Sequence, residues 1–468
     1  HLTATAPDAQ SKQPIRNNMR KLLLIISALL ITISSSAQQN ARKSSARRQA
    51  RTTASAKADK SPIVLATPIR PANQKDVINL TVPKMDVVRV GFVGLGMRGP
   101  GDGTDIKALC DLDADRVEKS QKILERNGRH RADAYSGSAD AYKKMCERND
   151  IDIIYIATDW IHHVPIALYA MEHGKNVAIE VPAAMTINDI WALINTSERT
   201  RKHCMMLENC VYDFFEVSAL NMARQGVFGE VLHVEGSYLH NLDDFWGEYK
   251  NNWRLDFNRK NRGDVYPTHG IGPDCQVLGI HRTDLMDYLV AMDTKAVNGP
   301  KAVERQTGKP CTDFQNGDQT STLIRTIKGK TMLIQHDVMT PRPYSRMFQI
   351  VGTDGYASKY PVEQILLRKE QAKGLKVDYQ NLNSHTPLND ETRNAMLNDY
   401  TPNYVKQIQD YIMDYRLVYC LRNGLPLDMD VYDMAEWCCI GELSRISIEN
   451  GSAPVKVPDF TRGAWKRR

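Results

Sequence analysis

Tyr266-Pro267-Thr268-His269-Gly270 is the densest group of chemistry-capable residues in the chain. A Tyr and a His three positions apart, at a helix entry marked by proline, converge on one side of that helix. Either group can transfer protons as an acid or a base. A lone His is more often structural, so the group needs a pocket around it. Tyr238-Leu239-His240 puts Tyr238 and His240 on one face of a strand. Trp246, Trp253 and Arg254 follow in a loop-like stretch, and Pro341-Arg342-Pro343-Tyr344-Ser345-Arg346 forms a turn after another strand. Aromatic faces with Arg and Asn suit a sugar ring; plain surface loop is the alternative reading.

A second signal lies upstream. Val90-Gly91-Phe92-Val93-Gly94-Leu95-Gly96-Met97-Arg98-Gly99 reads as a buried strand entering a G-x-G-x-x-G turn, and Ile106–Asp111 reads as a second apolar strand ending in an acid. Such a turn lets backbone approach a pyrophosphate, and the acid typically binds ribose hydroxyls. Alone, the glycine pattern also fits an incidental turn. Eleven residues separate Gly99 from Asp111, where about 20 is usual from motif to acid. The first crossover helix is therefore expected to be shortened or missing. Three later strand ends present polar or aromatic groups at the same sheet edge: Trp160-Ile161-His162-His163, Glu180-Val181-Pro182, and Asn209 with Tyr212 close behind. Ligands of open α/β sheets bind at that edge.

The elements that must hold these residues alternate from Val87 to about Leu207. Strands are expected at Val88–Val93, Ile106–Cys110, Ile151–Ala157, Val177–Ile179 and Met205–Leu207, with helices over 113–126, 164–173 and 187–200. Continuous apolar strands joined by helices predict a Rossmann-type doubly wound parallel sheet. Beyond residue 209 longer alternating strands (231–238, 320–327, 331–338, 347–351) predict an α+β domain with a largely antiparallel open sheet. Helices are expected at Gly270–Leu278, Asp284–Ala291 and, last, Val431–Glu449. The expected domains are 87–208, 209–424 and a C-terminal helix and tail over 425–468.

The formal charge of +6 is concentrated in residues 1–60, where only Asp8 and Asp59 oppose the Lys and Arg. The remainder is near neutral, which gives no case for nucleic-acid binding. Met19-Arg20-Lys21, the apolar run Leu22–Ile33 and Ser35-Ser36-Ala37 form a Sec-type signal peptide over 19–37. The apolar run is too short for a stable membrane span. Residues 1–18 then read as upstream read-through, 38–86 as a disordered basic linker, and the product as periplasmic or secreted. Nine scattered Cys, an odd number without C-x-x-C, argue against a disulfide framework or a zinc site. No metal is expected; a homo-oligomer is left open.

From about residue 87 onward these motifs resemble the Gfo/Idh/MocA family. Sugar dehydrogenases of that family carry Glu-Lys-Pro where this chain has Glu180-Val181-Pro182. The variant is similar to glycoside hydrolase family 109, α-N-acetylgalactosaminidases that use NAD without net redox change. Gly94–Gly99, Trp160–His163, Glu180-Val181, Leu207-Glu208-Asn209, Tyr266–Gly270, Pro343–Arg346, Gly424–Asp428 and Gly463-Ala464-Trp465 carry the match. The resemblance implies NAD contacts from Gly94, Gly96, Met97, Arg98, Gly99, Asp111, Trp160, His163, Glu180, Val181, Asn209 and Tyr266. It implies contacts to a terminal α-linked N-acetylgalactosamine of a glycan or glycoside from Tyr238, Arg254, Tyr266, Pro267, Thr268, His269 and Tyr344. The implied chemistry is transient oxidation at C3, elimination across C1–C2, water addition and re-reduction. NAD-dependent glycosidases are an exception to the two-carboxylate mechanism. His269 is then expected to handle the C3 hydroxyl proton, with Tyr266 or Tyr212 assisting at C2. The departures are Asp159, where a proline is usual, and the short Gly99–Asp111 segment. Two alternatives are an NAD(P)-dependent sugar oxidoreductase, which Val181 speaks against, and an impaired sugar-binding homologue, which the short crossover favours.

Overall fold

The computed structural model describes residues 61–95, 103–368, 387–405 and 409–467. The expected signal segment and motif residues Gly96, Met97, Arg98 and Gly99 lie outside the described residues.

Six short apolar strands form one parallel sheet in the order β3-β2-β1-β4-β5-β6. They are β1 (Val88–Val93), β2 (Thr104–Cys110), β3 (Asp133–Tyr135), β4 (Ile153–Ile156), β5 (Asn176–Ile179) and β6 (Cys204–Met206). Every residue of β4, β5 and β6 is buried, as expected for strands covered on both faces. The connecting helices are α1 (Ala114–Arg126), α2 (Ala141–Cys146), α3 (Trp160–Glu172) and α4 (Ile187–Thr200). Capping fixes two of these starts: Asp113 accepts from the Asp115 amide and Thr186 from the Asp189 amide. Helix α3 begins at Trp160, a turn earlier than expected, so Trp160 and His163 stand on its first turn. Strand order reverses between β1 and β4, the switch point at which such sheets bind ligands. β1 and β2 pair in parallel, Val88 opposite Thr104, and only residues 94–103 join them. Parallel pairing ordinarily takes a dozen or more.

The second sheet has eight strands, order β13-β12-β11-β7-β10-β9-β8-β14. Its strands are β7 (Val231–Leu239), β8 (Met286–Asp293), β9 (Thr320–Thr326), β10 (Thr331–Asp337), β11 (Ser345–Gly352), β12 (Gly355–Ser358), β13 (Gln364–Leu367) and β14 (Val455–Lys456). All neighbours are antiparallel except β7 and β10, which are parallel. The helix expected over Asp284–Ala291 is strand β8 instead. A short apolar run such as Tyr288–Ala291 fits either period, and hydrogen bonding to β9 and β14 on its two sides decides the matter. The helices of this part are α5 (Phe214–Arg224), α6 (Trp253–Lys260), α7 (Thr268–Leu278), α8 (Asn298–Thr307), α9 (Asp390–Tyr400), α10 (Gln409–Asn423) and α11 (Val431–Glu449).

Helix α11 joins the two sheets. It packs on β8 from one side and on α4 and β6 from the other. Val431, Met434, Trp437, Cys438, Ile440 and Leu443 are buried round its circumference, so its first half has no solvent face; Glu442, Arg445 and Glu449 face outward at its end. A capping box fixes its start: Asp430 accepts from the Asp433 amide while Asp433 accepts from the Asp430 amide. The C-terminal tail therefore belongs to the core between the sheets.

The disordered linker expected over 38–86 is corrected for its second half, from residue 61 onward. Residues 61–86 lie along the folded body, with Val77, Leu80 and Val82 buried and Ile63 bridged to Val455. Glu198 on α4 explains the attachment. Its carboxylate is fully buried and accepts from Arg70 at 2.8 and 2.9 Å, Arg462 at 2.9 Å and Tyr432 at 2.6 Å. One buried charge thus ties the leading strap, the last helix and the tail to the parallel sheet. Among the described residues no helix is long and apolar enough to cross a membrane.

Candidate active site

The carboxyl ends of β1, β4 and β5 open into a cleft of about 1080 Å³. Gly94, Asp111, Trp160, His163, Glu180 and Val181 line it from the parallel-sheet domain; Arg254, Tyr266 and His269 line it from the other. Gly94 has φ +84°, and a Cβ there would fall 2.4 Å from the Ala157 carbonyl oxygen. Only glycine lets β1 turn this close over the end of β4. Asp111 ends β2, and its carboxylate accepts from the amides of Leu95 at 3.0 Å and Asp113 at 2.9 Å. Four lone-pair directions on a carboxylate leave room for ribose hydroxyls beside these two bonds. A bare glycine turn and an acid at the end of β2 fit a dinucleotide: Gly94, Asp111, Trp160, Glu180 and Val181 would hold it.

The opposite wall is aromatic. The Trp160 ring meets Trp253 and Phe257, each at 5.1 Å, and Tyr266 at 5.6 Å. The Arg254 guanidinium lies over the rings of Tyr266 (4.8 Å), Trp160 (5.2 Å), Tyr249 (5.2 Å) and Tyr238 (5.7 Å). It donates to the Tyr249 hydroxyl at 2.6 Å and to the Tyr238 hydroxyl at 3.4 Å. Burial works against its charge, but the surrounding tyrosines more than offset this and its pKa rises. The Tyr238 hydroxyl also meets Nδ1 of His240 at 2.8 Å, and the His240 ring meets Tyr344 at 5.0 Å. A continuous aromatic row thus runs from the cleft-lining Tyr266 through Tyr238 and His240 to the half-exposed Tyr344, the last three outside the cleft lining; such ring faces suit a sugar.

Proton-transfer groups sit at the inner end of that wall. Nε2 of His269 is 3.2 Å from the Tyr266 hydroxyl, and Nδ1 is 2.6 Å from Oε1 of Glu208. Burial pushes the Tyr266 hydroxyl well above its ordinary value, so it stays protonated at neutral pH and donates. His269 reaches this place because α7 lies directly on β7 through Gly270 and Gly236: a Cβ on Gly236 would fall 2.5 Å from the Gly270 carbonyl oxygen. Pro267 and Thr268 form the start of α7; both are buried and outside the cleft lining, so the sugar contacts expected from them are replaced by a role in seating His269.

Three further expected roles are altered by the geometry. Tyr212 is not among the cleft-lining residues; its hydroxyl donates to Asp428 at 3.1 Å, which also accepts from Arg416 at 2.7 and 2.8 Å. That leaves Tyr266, not Tyr212, beside His269. Asn209 donates to Asp410 at 2.5 Å and likewise lies outside the cleft lining. His163 lines the cleft, but both ring nitrogens face carbonyl oxygens, Pro182 and Thr158, each at 3.0 Å. Burial lowers its pKa, so the ring is neutral and donates to one of these two carbonyls. Glu208 and Tyr249 were not foreseen as site residues. The signal for Glu208 is an acid directly after the buried strand β6, a place that demands a partner.

Residues 88–208 match the family described as "Oxidoreductase family, NAD-binding Rossmann fold", and residues 212–467 match "Glycosyl hydrolase 109, C-terminal domain". The WlbA dehydrogenase of Bordetella pertussis, solved with NADH and UDP-GlcNAcA, has the same fold, with TM-score 0.60 and 14% identity over 81% of this chain and 99% of that one. Levoglucosan dehydrogenase, solved with NADH and L-sorbose, gives TM-score 0.59 and 17% identity over 80% and 100%. Fold and cleft define a two-domain protein of the Gfo/Idh/MocA type that binds NAD.

Two relatives sharpen this. "Glycosyl hydrolase family 109 protein 1" of Bacteroides thetaiotaomicron is 63% identical over 440 residues, covering 90% of this chain and 94% of the relative. A "Glycosyl hydrolase family 109 protein" of Porphyromonas gingivalis is 60% identical over 433 residues, covering 88% and 92%. The chain belongs to glycosyl hydrolase family 109, and its Rossmann domain makes it an NAD-dependent glycoside hydrolase.

Proposed function

We propose that the chain hydrolyses terminal α-linked N-acetylgalactosaminides with no net redox change. The observation that carries this reading is the group Tyr266–His269–Glu208 at the inner end of an aromatic wall, facing Glu180 and Val181 across the cleft. NAD, when bound, supplies reversible hydride acceptance at C3 of the sugar. His269 takes the C3 hydroxyl proton through Nε2. The C3 ketone acidifies the C2 proton, and Tyr266 relays it to the oxygen of the departing α-linked group. Arg254 offers fixed positive charge beside the oxygen that gains charge in that step. Water then adds across C1–C2, and re-reduction at C3, with the proton returned from His269, restores the sugar. Tyr238 and Tyr344 hold the ring faces. Val181, where related sugar dehydrogenases carry lysine, weighs against the rival reading as an oxidoreductase with net turnover. The signal-like segment 19–37 supports export to the periplasm or beyond.

The test is release of nitrophenol from 4-nitrophenyl α-N-acetylgalactosaminide by the chain from Gln38 onward, with and without added NAD. Release that needs only trace NAD supports the reading. Stoichiometric NADH build-up with free sugar would replace it with the oxidoreductase. No release at saturating NAD would overturn it.

A further inference from the structure

Glu208 follows the last strand of the parallel sheet and has no exposed surface. Its Oε1 accepts from Nδ1 of His269 at 2.6 Å and from the Cys210 amide at 3.1 Å. Burying a carboxylate is costly unless it is paired and hydrogen-bonded. Burial pushes the Glu208 carboxyl up, but the charge of His269 and the bonds it accepts outweigh this, and it sits below its ordinary value. It is therefore a carboxylate at neutral pH, held against one nitrogen of a cleft-lining histidine.

A second buried Glu–His pair in the same chain gives a comparison. Nδ1 of His281 meets Glu436 at 2.7 Å, and its Nε2 faces Asp430 at 3.5 Å, with no exposed side-chain surface. Nδ1 of His281 is bonded to a carboxylate, and its Nε2 lies among carboxylates in the core, away from the cleft. His269 differs: its side chain is 14% exposed, and Nε2 faces the Tyr266 hydroxyl at the cleft. One pair is sealed in the core; the other is closed on the carboxylate side and meets a cleft-lining hydroxyl on the other.

We propose that Glu208 is a positioning residue that holds His269 with its proton on Nδ1 and supports the charged ring formed when Nε2 takes a proton from the sugar. This rests on the reading of His269 as the proton acceptor at C3. A carboxylate on the far nitrogen both selects the tautomer and raises the basicity of the near one. Glu208 comes from the parallel-sheet domain and His269 from the other, so the bond also sets how the proton acceptor stands over the cofactor cleft. The other ionisable groups facing the His269–Tyr266 pair are Tyr238 and His240 on β7, Arg254 on α6, Cys210 and Glu180. All of them are unchanged in a Glu208 substitution.

Two measurements test the proposal. In the full-length protein without substrate, ¹⁵N shifts of the histidine rings, with His269 identified by its loss in His269→Asn, report the tautomer directly. A proton on Nδ1 is expected; a proton on Nε2 overturns the proposal. In Glu208→Gln an amide oxygen keeps the hydrogen bond without the charge. The neutral support no longer stabilises the charged ring formed in the step, so kcat falls ~10–100-fold, with KM within about threefold. A kcat within about threefold of wild type overturns the proposal. Absence of hydrolysis by the wild type sinks the functional reading instead, and the ring tautomer still decides whether Glu208 sets the proton.

Discussion

Gly270 of α7 and Gly236 of β7 touch backbone to backbone. A Cβ on Gly270 would fall 2.3 Å from the Ser237 amide nitrogen, and one on Gly236 would fall 2.5 Å from the Gly270 carbonyl oxygen. Side chains keep packed helices and sheets well apart; two facing glycines remove that spacing here. The consequence is functional. His269 is the neighbour of Gly270 and Tyr238 lies two residues beyond Gly236, so the close approach brings their rings to 5.4 Å.

Gly270→Ala is therefore expected to act on the site as well as on stability. The added methyl group meets backbone, which cannot swing aside, so α7 must lift from β7. Overpacking of this kind costs about 1–3 kcal/mol or more. Urea unfolding should show a lower midpoint with an unchanged slope, and kcat should fall because His269 leaves Tyr238 and Glu208. Unchanged stability and activity would show that the helix shifts freely.

Tyr266 and Tyr212 separate by the same logic. Tyr266 shares the cleft with His269; Tyr212 donates to Asp428 away from it. Tyr266→Phe is expected to lower kcat on the order of 10²-fold or more with little change in stability. Tyr212→Phe loses one hydrogen bond, about 1 kcal/mol of stability, and keeps kcat within about threefold. The opposite pattern in nitrophenol release would return Tyr212 to the chemistry.

These two tyrosines also show where the sequence stopped being informative. Strand ends and the Tyr–His spacing follow from local patterns, so the cleft-facing edge and lining residues such as Trp160, Glu180, Tyr266 and His269 were legible. Tyr212 and Asn209 were placed there by their nearness to β6, but what removes them is pairing with Asp428 and Asp410, some two hundred residues away. The strap over 61–86 was read as disordered because its composition is polar. Its order comes from Glu198, a buried charge whose partners arrive from both ends of the chain. The strand at Met286–Asp293 was read as a helix because a short apolar run carries no period of its own until β9 and β14 pair with it. In each case the deciding partner is distant in sequence.

The closed pair His281–Glu436 predicts how stability depends on pH. Burial alone would lower the His281 pKa, but Glu436, Asp433 and Asp430 raise it to about 10. A histidine charged in the folded state and neutral when unfolded at the same pH stabilises the fold. Its contribution is complete below the unfolded value of about 6.5. It declines as pH rises through that value and is lost above about 10. Burial likewise raises Glu436, which adds loss in the same direction at lower pH. Urea unfolding of the wild type between pH 7 and 10 is expected to show stability falling by roughly 2–4 kcal/mol from this ring. His281→Gln removes the titrating ring and leaves Glu436 a neutral donor, so the variant starts less stable at pH 7 and loses less on the way to pH 10. The other alkaline groups titrate in both proteins, so the difference between the two slopes belongs to His281. Equal slopes would mean that the ring is neutral in the folded protein and that the surrounding carboxylates are balanced by Arg282 alone, which pairs with Asp433 at 2.8 Å.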